Sequence, residues 1–519
     1  MKKNLMLLAL LIAFVGIKAQ TSVQIKHLST ADMEFMGHPS EYYLNSCEGD
    51  DGYFFVYSAE KESKKVTKAI IYKVDNDLQS AKSSIISFPS DDYQFIGCTD
   101  NNESIIAFYS VQDKKNDILS IKKVVFDKNN LGAEANIEEI TNMPFDNRDM
   151  CVTLTAKSSD KSKFAINILH TTAKGDFTGI YTAVFNRNEL IWSNKEIPSL
   201  GNENFEIEDM QVSNEGVAYI GISSFSNKGP KSENEKIHLY VINENEGQLF
   251  TETISFGLIR DMKLKLLKNG SLFMGGYYSA NLMSNATGSF SYVFNPANEE
   301  FTSRTNQQFS EDYISAPRPD VFLTTKYANQ QYTAVCQYIF ELESGNIVML
   351  GEQKYIKTII TQNGNTVDKS YVIFAKNILC NSFTSAGEYE GFTMLKKHQG
   401  IAIQKLFTYD PREVLLSYYA TQKGNNIYLL YNDNADNVLK GSTKDEIFEL
   451  NVAFSFIKKN SCLTLATLDE NGGLNKVKAM DCSAIGRVLH KILFCSDNDL
   501  YFATYGKKAN SISKITIED

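Results

Sequence analysis

Asn269-Gly270-Ser271-Leu272-Phe273-Met274-Gly275-Gly276-Tyr277-Tyr278 is the stretch that decides the fold. A pair suited to a tight turn stands before a run that is apolar at consecutive positions rather than at alternate ones. Asn-Gly and Asp-Gly favour the positive φ of a hairpin turn. A strand with one wet face alternates, whereas one covered on both faces reads apolar throughout.

The same arrangement can be read eight times. The turns are Asp51-Gly52, Asn101-Asn102, Ser159-Asp160, Glu215-Gly216, Asn269-Gly270, Ser344-Gly345, Lys423-Gly424 and Asp497-Asn498. Each precedes a thickly apolar strand, such as Tyr53-Phe54-Phe55-Val56-Tyr57, Ile105-Ile106-Ala107-Phe108-Tyr109 or Ile427-Tyr428-Leu429-Leu430-Tyr431. A third and usually a fourth strand follow after further polar breaks. Stacked propeller blades cover both faces of their inner strands, so the expected fold is an all-β propeller of about eight four-stranded blades. The turns are spaced by roughly 50 to 60 residues at first and by about 75 to 80 later. The later units therefore carry insertions, placed at residues 310–332, 352–370 and 384–412, and seven is the alternative count if one counted unit is itself an insertion. Ala316-Pro317-Arg318-Pro319 is the clearest proline break. Two packed β domains divided near residues 310–330 are the competing architecture.

The two ends complement one another. Residues 488–495, 500–505 and 511–517 read as three strands without a fourth, and residues 22–28 read as a lone strand before the first full unit. Pairing that strand into the last blade closes the ring and removes an open sheet edge. Ahead of it, Lys2 and Lys3 precede an apolar run over residues 5–17, and Ile17-Lys18-Ala19 offers a cleavage site before Gln20. The run is short of the roughly 20 residues of a spanning helix and suits a signal peptide; the alternative is an uncleaved anchor. No Cys follows the run, which argues against lipid attachment. The expected organisation is a signal peptide over 1–19 and a single propeller domain over 20–519, with longer loops in the 310–412 region. It places the protein in the periplasm or at the cell surface, without a transmembrane segment.

The chain carries 27 Tyr and 32 Phe against one Trp and nine Pro, a composition that suits strands. Its net charge is −10, and loss of Lys2, Lys3 and Lys18 takes it to −13. With no sustained basic stripe, nucleic acid is set aside as a partner. Eight Cys occur without a CxxC pair, which excludes zinc-ribbon and thioredoxin-like motifs. Most lie in apolar strand patterns and read as buried small side chains. Cys462 and Cys482 are the best disulfide candidates, because a hairpin there brings them together.

Residues 270–279, the Gly345-Asn346-Ile347-Val348-Met349-Leu350-Gly351-Glu352-Gln353 segment, and Ser417-Tyr418-Tyr419 with the run from Ile427 to Asn437 resemble recurring units of uncharacterised exported propeller-like proteins of the Bacteroidota. The resemblance spans roughly residues 255–440. It implies a propeller and export, and no activity. Where those chains often carry a Trp and a Lys-Gln pair after Glu-Gln, this one has only His398-Gln399 and Gln404-Lys405.

Catalytic motifs do not emerge. There is no G-x-S-x-G elbow, and the six His are isolated. Close acidic pairs such as Glu388 with Glu390, or Glu352 with Asp433, offer glycosidase chemistry, but 62 acidic residues make such pairs unavoidable. Asn432-Asp433-Asn434-Ala435-Asp436-Asn437 is the densest oxygen-ligand run. It reads as an Asx-rich turn or, alternatively, a calcium site; no other cofactor is expected. The expected function is non-enzymatic binding or scaffolding of a protein or glycan ligand of the envelope, by a monomer or a member of an envelope complex. The long loops of blades 6 and 7 form the recognition surface, with Glu352, Gln353, Tyr355, Asp433 and Asp436 as candidates. The alternative is a glycan- or peptide-acting hydrolase using carboxylates at the axis.

Overall fold

In a computed structural model the chain is a β-propeller. The described residues comprise most of the stretch from 93 to 518, together with the strands Ser22–Leu28, Tyr57–Ser63, Val66–Val74 and Ala81–Ser87. Residues 1–21, 29–56, 311–332, 404–415, 440–449 and 452–459 and several shorter stretches lie outside them. The signal segment, the Ala316–Pro319 break and the Asp51, Asn101 and Asp497 turns fall in those stretches.

The strands form eight antiparallel-built sheets in chain order. Blade 1 shows three strands between 57 and 87. Blades 2 to 5 are four-stranded, over 93–144, 150–196, 204–253 and 258–308. Blade 6 begins at Thr333 and is enlarged to six strands. Blade 7 is four-stranded over 418–481, and blade 8 comprises Arg487–Ser496, Asp499–Gly506, Ser511–Glu518 and the N-terminal strand Ser22–Leu28. That last strand pairs antiparallel with Ser511–Glu518, from Ser22 opposite Glu518 to Leu28 opposite Ile512.

The described thick apolar runs, from Ile105 onward, are the second strands of their blades, and the run at 53–56 lies outside the described residues. Leu272–Ser279 is buried at every position, whereas the fourth strand of the same blade, Glu300–Gln308, is mostly solvent-facing. The turns before them work as their residues require: Gly270 and Gly345 sit at φ of 84° and 88°, which glycine adopts without a Cβ penalty.

Blade-to-blade cores run in order around the sheets. Phe108, Phe164 and Phe185 join blades 2 and 3. Val184, Trp192 and Ile220 join blades 3 and 4. Leu239, Met262 and Met274 join 4 and 5; Phe273, Met349 and Leu379 join 5 and 6; Leu350, Ile378 and Leu429 join 6 and 7; Leu430, Leu465, Leu500 and Ile515 join 7 and 8. Blades 5 and 6, which flank the 310–330 stretch, thus share one core. Lys73 ties blade 1 to blade 2 through the carbonyl of Lys128 at 2.8 Å. No helix among the described residues is long and apolar enough to cross a membrane.

Candidate functional site: the arm of blade 6 and its root

Blade 6 departs from the four-strand pattern. Its strands Ile347–Asn363 and Thr366–Phe383 are about twice the usual length. Residues 347–352 pair with 378–383 inside the blade, and 354–363 pair with 366–375 beyond it, with a register shift between Glu352 and Lys354. The outer half is an arm. Gln399–Ile403 adds a strand to it opposite Tyr371–Ala375, and Leu450–Asn451 pairs in parallel with Gln399 and Gly400. The β-branched content of 356–361 and 367–373 suits this extended pairing. Ala375 and Ile401, with Tyr371 and Ile373 against them, join the apolar core of blades 7 and 8. The expected insertion at 352–370 is therefore paired strand rather than loop.

At the root of the arm is a buried polar cluster. Glu352 and Lys397 are both without solvent exposure and lie 2.5 Å apart. The second oxygen of Glu352 accepts the Ser417 hydroxyl at 2.6 Å, and Ser417 Oγ in turn accepts Nε2 of Gln337 at 2.6 Å. Gln399 Oε1 accepts both Lys397 Nζ, at 2.9 Å, and the Ser417 amide, at 2.7 Å; its Nε2 donates to the carbonyl of Asn432 at 2.8 Å. Ser417 is held at φ 84°, a conformation that side chains other than glycine adopt rarely. Burial pushes the Lys397 amine down, and the adjacent Glu352 opposes this. Burial, with Lys376 and Lys397 nearby, drives His398 down to about 3, so its imidazole is neutral and packs 5.5 Å from the Phe374 ring.

This placement corrects the expected loop display of two of the five recognition candidates, Glu352 and Asp433. Glu352 and Asp433 are not displayed on loops; both point into the interface of blades 6 and 7, because the strands that carry them are covered on both faces. Burial raises Asp433, whose Oδ1 accepts Asn437 Nδ2 and the Asn434 amide at 2.7 and 2.8 Å. Gln353 is half-buried at the register shift, opposite Ala334. Tyr355 stands in the arm opposite Phe374. Asp436 opens the short helix Ala435–Leu439, its amide donating to Asn434 Oδ1 at 3.1 Å and its carboxylate accepting Asn460 Nδ2 at 3.3 Å. Among the described residues no group of three or more His, Cys, Asp or Glu could hold a metal ion. Cys462 is a free, buried thiol 3.5 Å from Thr464 Oγ1, and Cys482 lies outside the described residues.

A second concentration of charge, which the sequence reading missed, lies on the first strands of blades 4 and 5. Both strands are bulged, between Ile207 and Asp209 and between Ile259 and Asp261. Asp209 Oδ2 accepts the Leu264 amide of the next blade at 2.9 Å, with Lys263 Nζ 3.3 Å from Oδ1. Asp261 likewise accepts the amide of Cys336 in blade 6. These carboxylates are blade-to-blade ties. The signal was present in the sequence: Glu208-Asp209-Met210 and Arg260-Asp261-Met262 repeat one pattern in two successive blades.

Burial raises the Glu208 carboxyl to about 8, against the Ser223 hydroxyl bonded to it, and raises Asp261 to about 6, against Lys263. Between 4.5 and about 8 the folded chain therefore holds a proton at Glu208 that the unfolded chain has released. Stability falls as pH rises through that window. Glu208→Gln, which cannot ionise, should gain on the wild type by about 1 kcal/mol or more between about pH 5 and pH 8. Urea midpoints across that range check this, and a pH-independent difference contradicts it.

No family model matches the chain, and no curated protein matches it. Among solved structures it is similar to a polysaccharide lyase at 10% identity, covering 82% of this chain and 90% of that one, with a TM-score of 0.36. It is similar to an oligogalacturonate lyase from Vibrio parahaemolyticus at 9% identity, covering 96% and 98%, with a TM-score of 0.36. The β-propeller domain of the trilobed protease from Pyrococcus furiosus, described as having an open velcro topology, matches at 8% identity over 69% and 94%, with a TM-score of 0.33. Similarities this distant assign no activity.

Proposed function

We propose that the protein is a non-enzymatic binding or scaffold protein of the cell envelope, a ring that shares blade 8 between its two chain ends and presents the blade 6 arm to a protein or glycan ligand. The observation that carries this is the arm itself: paired strand from 354 to 375, running beyond the blade and reinforced by Gln399–Ile403. A propeller needs only four strands per blade, so this addition is not required by the ring. Binding elements supported on rigid sheet are placed more accurately than free loops. The deciding comparison is a pull-down from envelope extract with the tagged mature chain and with a variant whose residues 357–370 are replaced by Asn-Gly. The full arm should retain a partner that the shortened arm, at an unchanged melting temperature, loses. Equal retention by both contradicts the reading.

The raised carboxyls of Glu208 and Asp261 on adjacent first strands favour a second reading, a glycan- or peptide-acting hydrolase with acid–base groups at the axis. Turnover of an acidic or neutral glycan that Glu208→Gln abolishes would establish it in place of the first.

A further inference from the structure

We propose that the arm of blade 6 is a hinged element and that Lys397 is the latch holding it against blade 7. The hinge is visible as a break in pairing on both strands at one level. On one strand Glu352 pairs with Ile378 and Lys354 with Ala375, which leaves Gln353 on one side and Lys376 and Asn377 on the other outside the ladder of the two long strands, while Gln353 and Lys354 stay paired with Ala334 and Thr333 of the first strand. The neighbouring chain breaks at the same level. Tyr389–Leu395 pairs with the blade half of the long strand and Gln399–Ile403 with the arm half, and Lys397 lies between them.

Lys397 reaches every part of this joint. Its amide donates to Asn377 Oδ1 at 3.3 Å, and its Nζ lies 3.4 Å from the Ala375 carbonyl, on the arm side. Nζ also meets Glu352 of the blade and Gln399 of the arm. Glu352 and Gln399 then converge on Ser417, the residue that leads into blade 7. The polar contacts of arm, blade 6 and blade 7 thus converge on one ammonium group and one serine, beside the Lys354–Glu352 pair and the apolar packing of the arm on blades 7 and 8. The positive φ of Ser417 is the cost of that convergence, since its amide and hydroxyl must face Gln399 and Glu352 together.

A buried ion pair contributes little net stability against apolar side chains of the same volume, and its best-attested use is to fix one arrangement among several. Taking away Lys397 leaves buried Glu352 with only the partly exposed Lys354, whose Nζ lies 3.5 Å from its other oxygen, as counter-charge. At the hinge the ladder between the two long strands is already interrupted, so the effect should be local rather than global.

The inference takes its functional meaning from the arm as the binding element, but its test reads the hinge alone. Hydrogen exchange is followed on the mature chain, on Lys397→Met and on Ser417→Gly. In the wild type, amides of 354–375 and 399–403 should exchange through an opening with a smaller denaturant dependence than those of Leu272–Ser279 and Asn426–Asn434. In both variants the arm amides should exchange about tenfold faster or more, with the two blade strands unchanged. Exchange of arm and blade through one common opening in the wild type overturns the proposal, as does equal acceleration everywhere in the variants. If Lys397→Met does not fold, the wild-type comparison decides alone. A failed hinge leaves the pull-down result standing, and a failed pull-down leaves the hinge standing.

Discussion

Gly276→Ala and Gly351→Ala should each lower stability by about 3 kcal/mol or more, among the largest effects of any methyl-sized change in the chain. Neither glycine is needed for an unusual φ; both are needed for space. A Cβ on Gly276 would stand 2.1 Å from the Asp261 carbonyl oxygen, which is backbone and cannot rotate away. A Cβ on Gly351 would enter the Tyr277 ring, 2.2 Å from Cε2. Tyr277 is fully buried and lies across Gly351 from blade 5 into blade 6, its hydroxyl 3.3 Å from the Leu379 carbonyl and accepting Asn381 Nδ2 at 3.0 Å. Removing Gly351 therefore displaces a side chain that links two blades. Gly391→Ala is the control, since nothing lies within 4 Å of the added carbon. Urea midpoints measure the three variants. A Gly351→Ala midpoint equal to that of Gly391→Ala would remove the packing argument, and Tyr277→Ala in the Gly351→Ala background should cost less than the two changes summed.

The same two glycines show what could be read in advance. Gly275-Gly276 sits in a strand pattern without turn character, which points to close packing. The sequence does not say what packs there, because Asp261 and Tyr277 reach their positions only through neighbouring strands. Blade order was legible for a similar reason. Turn pairs and doubly apolar runs are local features, and each described one falls at the start of its second strand. The lone strand at 22–28 was legible from the missing fourth strand at the other end.

The site was less legible. Glu352-Gln353 and Asp433 stood out as polar residues after apolar runs, and that pattern reads as the end of a strand entering a loop. In fact Glu352 and Asp433 continue the face of their strands that carries Leu350 and Tyr431 two residues earlier, so they are buried. Burial of Glu352 is tolerable because Lys397 and Ser417 arrive from distant segments, whereas Asp433 is bonded by the nearby Asn437. No local pattern encodes that convergence. The Asp-Met repeat of blades 4 and 5 is local and legible in the first strands.

Both chain ends contribute strands to blade 8, and deleting residues 20–29 tests whether the proposed ring depends on that. The deletion removes the whole strand that pairs with Ser511–Glu518, from Ser22 to Leu28. It leaves Ile515 and Ile517, both buried, on an open edge in the core shared by blades 7 and 8. With a strand's worth of ladder bonds lost, the cost should be about 4 kcal/mol or more and should fall on the protein as a whole. Melting followed by far-UV and near-UV dichroism should show one transition, shifted down together in both signals. An unchanged transition, or a loss confined to blade 8 while the rest melts as before, would contradict the account.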